Sequence, residues 1–426
     1  MEAWKLNIQL LADAGTLVNA TDGYVNAYTG AQESFSGKND LSVQMKEYYD
    51  TELLENARAN LVHSQFAKKQ GLPKNRGRII EFRKWNTLED AGELQEGVIP
   101  AAQKLGSTSI SKALTQHGTY TAVTDILELH AIDDVILGAT TELGASAGTT
   151  QDKLVRNVMV AGTNKQLCDK VVNGVHTKVA TRAGLDKTAR LTPDEINKAV
   201  TTLKKLKAPT INGKYIAIIH PSVAYDLRNS DGWIEAHKYA SPTEIFTGEI
   251  GELHGVRFVE TTEAKIFAGA DLASDSRTLK VKTAISSAGK NIAFEGGTVA
   301  TDALKGRLIL VGDVLCEVVS NTASSITVKE NVNNIEAGAV IAPGEGGAGG
   351  LAVYATMVLG KDAYGMIDPE GGNLQMIIKD KATAGGPLDQ FSTLGYKFEN
   401  ASLILYEDRM VRIESCGEYS DVDEEN

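Results

Sequence analysis

The sequence predicts an α+β fold with a small all-β domain inserted into it. Three observations carry that expectation. Apolar stripes at three- and four-residue steps over 42–69, 131–168 and 193–207 mark helices, and they alternate with short β-branched runs. Residues 213–262 read as a strand–helix–strand unit around one core. After Phe267 the pattern changes to short alternating runs separated by turn residues, which predicts a β-rich insert over 268–350.

The totals bound the rest. The chain has 426 residues, 42% apolar and 23% charged, which is globular composition with room for two to four domains. Its net charge of −12 argues against tight phosphate binding, so the expectation is weak or no sequence-specific nucleic-acid contact. Cys168, Cys316 and Cys416 lack the spacing of a zinc site or a redox dithiol and read as packed thiols formed in a reducing cytoplasm. The first residues, MEAWKLNIQLLADAG, are too short and polar for a signal peptide, and no run of about 20 apolar residues suggests a membrane span.

Residues 1–40 read as an extended arm whose Trp4, Tyr24, Tyr28 and Phe35 favour docking on some other surface; a disordered tail is the alternative. The helix over 42–69 ends at Gly71 and Pro73, with His63 packed beside its stripe. Residues 78–86 and 114–124 alternate as strands of a ribbon, which cannot be stable alone in water and must lean on something. Between them lie Glu89, Asp90, Glu93 and Glu96. Paired carboxylates do acid–base chemistry only in a pocket that shifts a pKa, so on this polar loop they read as solvated surface or as partners for a neighbour's cations.

Residues 131–147 and 150–168 are two helical segments, or one helix interrupted near Gly148, with Thr149 and Asp152 at capping-box spacing. Residues 173–190 are a polar connection. Thr192-Pro-Asp-Glu195 reads as a capping box opening helix 193–207, which packs on the strand Tyr215-Ile-Ala-Ile-Ile219. His220-Pro221 breaks that strand, Ser222 can cap the helix that follows, and Val256-Arg-Phe-Val259 is the next strand.

In the insert, strands fall at 279–285, 307–311, 314–319 and 325–329. The glycine run 344–350 lacks the lysine and following helix of a phosphate loop and reads as a flexible hinge. Strands follow at 352–359, 374–381, 394–398, 403–406 and 410–414, then an acidic, frayed tail at 418–426.

Several phrases carry a family resemblance: LPKNRGRIIEFRKW…LEDAGELQEGVIPA, IHPSVAYDLR…IFTGEIGELHGVRFVET, VYATMVLGKDAYGMIDPEGG and GGPLDQFSTLGYKFENASLILYEDRMVRIES. Over roughly 41–267 and 351–415 the chain resembles the major capsid proteins of tailed bacteriophages, in the branch typified by coliphage N-four, which have the Hong Kong 97-type capsid fold. The resemblance implies an N-terminal arm and helix (1–75), an extended loop (76–125), a peripheral domain with a spine helix (126–190) and the first part of an axial domain (191–267). After the insert (268–350) come the second axial part (351–385), a peripheral return (386–417) and the tail (418–426).

The resemblance also implies an assembly interface on the extended loop, with Arg78, Glu81, Arg83, Trp85, Glu89, Glu93 and Glu96 as its candidate residues. It implies pentamers and hexamers closing into an icosahedral head around double-stranded DNA, in a virion assembled in the bacterial cytoplasm. The partners would be the chain itself and portal and scaffolding proteins, with a decoration protein as a further candidate, and with no membrane, no cofactor, no metal and no catalytic residue. Two other readings stand beside it. An encapsulin-type nanocompartment keeps the shell and changes the cargo. A hydrolase would use His220 with Asp226, but no G-x-S-x-G elbow and no histidine pair at ligand spacing supports it.

Overall fold

The computed structural model describes residues 24–25, 32–33, 61–72, 78–85, 88, 90–91, 93, 102–124, 127, 135–230, 233, 251–312, 314–369, 374–379, 390–420 and 423–426. The chain divides into two compact units, Met1–Val155 with Tyr364–Leu405, and Arg156–Ala363 with Tyr406–Asn426. Most of the expected arm and the helix over 42–60 lie outside the described residues; within the arm, Tyr24–Val25 pairs antiparallel with Gln32–Glu33.

In the first unit, the end of the expected 42–69 helix is corrected. His63–Phe66 is a single 3-10 turn and Lys68–Leu72 is a strand, parallel to Tyr364–Pro369, which pairs in turn with Ser402–Ile404. Strand Thr115–Thr124 runs antiparallel to Phe391–Asn400 over ten residue pairs, and Gln375–Lys379 lines the other side of that strand. It was expected in the ribbon, but Val123 and Ala122 find their apolar cover in this sheet.

The helix Val135–Val160 is continuous through Gly148. Its Leu143 and Ala147 pack with Val123, Leu394, Tyr396 and Phe398 of the sheet, and that burial outweighs the roughly 1 kcal/mol that each interior glycine costs. Thr140, Thr141, Thr149 and Thr150 bond back to the carbonyls four residues earlier, so Thr149 caps nothing. The Asp152 of the expected capping box turns inward instead. Its carboxylate is fully buried and accepts from the backbone N–H of Val62 (3.0 Å), His63 (2.7 Å) and Ser64 (3.3 Å), while its other oxygen lies 2.6 Å from His63 Nδ1. The Tyr364 hydroxyl donates to the His63 carbonyl.

The second unit is built on a seven-stranded sheet. Its order is Glu252–Leu253, Val256–Glu260, Tyr215–Ile219, Val353–Leu359, Met410–Cys416 and Lys165–Leu167, with Ile266–Phe267 pairing further along Val353–Leu359. Tyr215–Ile219 and Val256–Glu260 are parallel, joined through the helix Pro221–Arg228. The cap of that helix is His220, whose Nδ1 accepts from the Ser222 N–H at 3.2 Å; the extended backbone required before Pro221 places the ring there, so Ser222 is inside the helix. Helix Pro193–Lys205 packs on the sheet through Ile196, Ala199, Val200 and Leu203. Thr192 makes no side-chain cap, because Glu195 is drawn to Gln166 (2.7 Å) and Lys198 (2.7 Å) instead. The expected polar connection holds a hairpin, Lys170–Val172 with Val175–Thr177.

The insert forms a closed barrel in the order Leu279–Val281, Gly289–Glu295, Ser325–Val332, Val314–Asn321, Leu308–Val311 and Val340–Pro343. Gly289–Glu295 and Val340–Pro343 complete it beyond the strands expected from sequence. Its core includes Val281, Ile292, Phe294, Ile309, Cys316 and Ile341. The glycine run is packed rather than hinged. A Cβ on Gly346 would meet the Leu351 carbonyl oxygen at 2.7 Å, and one on Gly347 the Leu185 carbonyl oxygen at 2.8 Å. Glycine stands there for close backbone approach.

Arginines fix the barrel's neck. Arg277 donates to the Ala268 carbonyl, Arg307 to Asp271, and Arg182 to Glu345. Arg182 also makes a fork to the fully buried Glu414, at 2.7 and 2.8 Å, and lies 3.5 Å over the Phe267 ring. Arg412 Nε adds a third bond to Glu414 at 2.8 Å. Burial acts to raise the Glu414 carboxyl, but Arg182 and then Arg412 outweigh it and hold the group below the usual carboxylate range.

The tail is docked, not frayed. Asp423 accepts from the Tyr354 hydroxyl at 2.6 Å, and the Asn426 carbonyl accepts from Arg156 (2.9 Å) and Lys265 (2.6 Å). All three cysteines are free and buried; burial pushes the Cys316 thiol up to about 11.

Candidate assembly surface

The ribbon is formed by Ile79–Trp85 and Ser107–Ala113, seven antiparallel pairs from Ile79↔Ala113 to Trp85↔Ser107. Period-two alternation gives it two faces. Ile80 and Phe82 are buried, and the Phe82 ring lies where a Cβ on Gly365 would be, 2.9 Å away, so the ribbon base seats on Tyr364–Pro369. Ile79, Glu81, Arg83 and Trp85 share the opposite, exposed face. The residues across from them are Ala113, Ser111, Ser109 and Ser107, too small to cover them. Ile79 is left 65% exposed and Trp85 53%.

The other expected site residues separate from this face. Arg78 donates to the Leu114 carbonyl at 3.0 Å and closes the ribbon base. Glu93 is exposed beyond it. Glu89 and Glu96 lie outside the described residues. Leu88 and Leu105 are likewise exposed, at 51% and 56%. The return strand was not anticipated, since STSISKA carries one large apolar residue, Ile110. Its period-two match to Phe82 is the signal that points to it.

The hydrolase pair is not assembled. His220 is spent on its helix cap and stacks on Tyr354 at 5.0 Å, and Asp226 accepts from the Glu418 N–H at 2.9 Å. Burial lowers His220 and raises Asp226, and no hydrogen bond joins them among the described residues. A cavity of about 440 Å³ in the second unit is lined by Leu167, Asp169, Val179, Glu195 and Lys198. Burial opposes the charge on Lys198, but Asp169 (2.8 Å), Glu195 (2.7 Å) and Asp194 (3.0 Å) outweigh it and hold the ammonium well above its usual range. A lysine held charged is neither base nor nucleophile. No cluster of metal-ligating side chains occurs among the described residues, and no described helix is long and apolar enough to cross a membrane.

A family model described as phage capsid protein matches residues 110–367, more than half of the chain. The chain belongs to the phage capsid protein family. Solved capsids share its fold. That of Ralstonia phage GP4 is 13% identical, with 92% of this chain and 97% of that chain covered at a TM-score of 0.52. Cyanophage Pam1 gives 11%, 93% and 99% at 0.51, and Cyanophage P-SCSP1u 12%, 84% and 88% at 0.50. No curated protein matches the sequence. The fold of this capsid protein is therefore the Hong Kong 97 type, and the chain is a structural component of a phage virion.

Proposed function

We propose that the chain is the shell subunit of the head, forming pentamers and hexamers that close into an icosahedral capsid around double-stranded DNA, with no catalytic role. Portal and scaffolding proteins, and a decoration protein, are its further partners. The observation that carries this reading is the ribbon. Ile79 and Trp85 stand uncovered at the two ends of one ribbon face, with Glu81 and Arg83 between them, and Leu88 and Leu105 are also left in water. A neighbouring subunit is what such a face fits, since it can cover the aromatic and aliphatic side chains and answer the charges that alternate with them. Arg78 acts indirectly, holding the ribbon base, and Glu89 and Glu96, outside the described residues, belong to the proposed interface on the sequence alone.

Sizing with light scattering, and electron microscopy of the peaks, tests it. The wild type is expected to give rings, tubes or shells when expressed with its own assembly partners. Trp85→Glu is expected to melt normally and to stop assembly, since one aromatic anchor carries about 2–4 kcal/mol per contact and a shell repeats it. A wild type that stays monomeric with those partners present refutes the reading.

The barrel is proposed as a separable insert on the axial domain. Phe267 and Val353 are cross-strand partners, so the chain leaves and returns at one place. Deleting 269–349 and bridging the ends with a short glycine linker is expected to give a soluble, folded host that has lost about 1–2 kcal/mol with the neck contacts. An insoluble product shows that barrel and host fold as one.

A further inference from the structure

The hairpin Lys170–Val172 with Val175–Thr177 turns at Asn173 and Gly174, both at positive φ, 51° and 79°, as a two-residue hairpin turn requires. Residues 172–178 are all exposed. Val172 and Val175 pair across the strands at its tip and are 44% and 65% exposed. The Val171 N–H, bound to Thr188 Oγ1 at 2.9 Å, ties the hairpin base to the unit. A two-stranded hairpin is marginal in water without a packed face, and this one ends in uncovered valines.

Charge indicates what covers it. Residues 165–207 hold ten Lys and Arg against four Asp and Glu, an excess of six positive charges, while the remaining residues hold 33 against 51, a net of −18. Lys165, Lys178, Lys204, Lys205 and Lys207 are exposed. Lys204 and Lys205 lie in the last turn of a helix, where the dipole already favours cations. That account does not reach Lys165 at the start of the edge strand, Lys178 at the hairpin or Lys207 past the helix.

We propose that this hairpin and its basic flank are a contact between copies of the chain, seating Val172 and Val175 on the acidic surface of a second copy. The inference rests on the shell-subunit reading. A nucleic-acid backbone would answer the lysines but offers nothing to an apolar tip, whereas a protein surface answers both. The charge pairing sets orientation and encounter rate, and the valines supply the buried centre.

The test uses the full chain and two variants, Val172→Asp with Val175→Asp, and Lys165→Glu with Lys178→Glu. All four positions are exposed, so circular dichroism and melting are expected to match the wild type. The concentration at which capsomers or shells form is expected to rise roughly tenfold or more in each, equivalent to about 1.4 kcal/mol per contact. For the lysine variant the difference is expected to shrink at about 0.5 M salt, where exposed pairs are screened. Variants that assemble at the wild-type threshold overturn the contact while leaving the shell reading intact. Variants that assemble normally but lose retention of double-stranded DNA assign the flank to phosphate and also overturn it. A wild type that never assembles brings down the shell reading, and this contact with it.

Discussion

Arg182→Met is expected to destabilise the protein by about 3 kcal/mol and to lower its melting midpoint by roughly 6–12 °C. Glu414 is fully buried on strand Met410–Cys416, between Val353–Leu359 and the edge strand Lys165–Leu167, and takes both bonds of the Arg182 fork. Removing one partner of a buried pair leaves a charge with nowhere to go, which costs about 3–5 kcal/mol. Arg412 keeps its 2.8 Å bond to the carboxylate, so the lower end applies. Methionine retains much of the stem over Phe267, which isolates the charge from the packing. The pH dependence separates this from a general packing loss. The folded Glu414 carboxyl lies below its ordinary range, so its contribution is complete above that range and is lost as pH falls through the depressed value. Without Arg182, burial weighs more heavily and the carboxyl rises, so acid unfolding is expected to begin at higher pH. A variant that unfolds at the wild-type pH, or loses under 1 kcal/mol in denaturant, sinks the account.

Elements buried on both faces were legible in the sequence, because burial writes a continuous apolar run. Tyr215–Ile219 and Val353–Leu359 are buried at every position and stood out at once. Elements settled by distant pairing did not. Lys68–Leu72 continues a helical pattern locally, yet its partner Tyr364–Pro369 lies almost 300 residues away and makes it a strand. Glu195 has the spacing of a capping box, but Gln166 and Lys198 compete for its carboxylate and win. In the barrel, Gly289–Glu295 opens on Gly-Lys-Asn, and the turn-like composition hides a strand that closure pairs on both sides. The face proposed for assembly was half legible. Period two put Glu81, Arg83 and Trp85 together, as found, while nothing local shows that Arg78 is spent on the Leu114 carbonyl.

Asp152→Ala is expected to cost about 4 kcal/mol and to release the segment ahead of strand Lys68–Leu72. The carboxylate is the acceptor for three successive backbone N–H groups, for Ser64 Oγ at 3.2 Å and for the His63 ring, all in one buried pocket. Each hydrogen bond to a charged group contributes about 1.5–3 kcal/mol, and alanine leaves several buried donors unpaired at once. Water entering the space recovers part of that, which sets the figure below the sum. The loss is directional. The long helix keeps its own ladder and its packing on Leu394 and Phe398, so helix content should stay unchanged. Hydrogen exchange should instead accelerate at the amides of Val62, His63 and Ser64 by a hundredfold or more, about 2.7 kcal/mol of lost protection. Asp152→Asn separates charge from hydrogen bonding, because its carbonyl oxygen still faces the three N–H groups while its amide meets His63; it is expected to recover about half of the stability. Unchanged exchange at 62–64 in the alanine variant would falsify the clasp. Loss of helix content would show instead that Asp152 supports the helix and not the segment it holds.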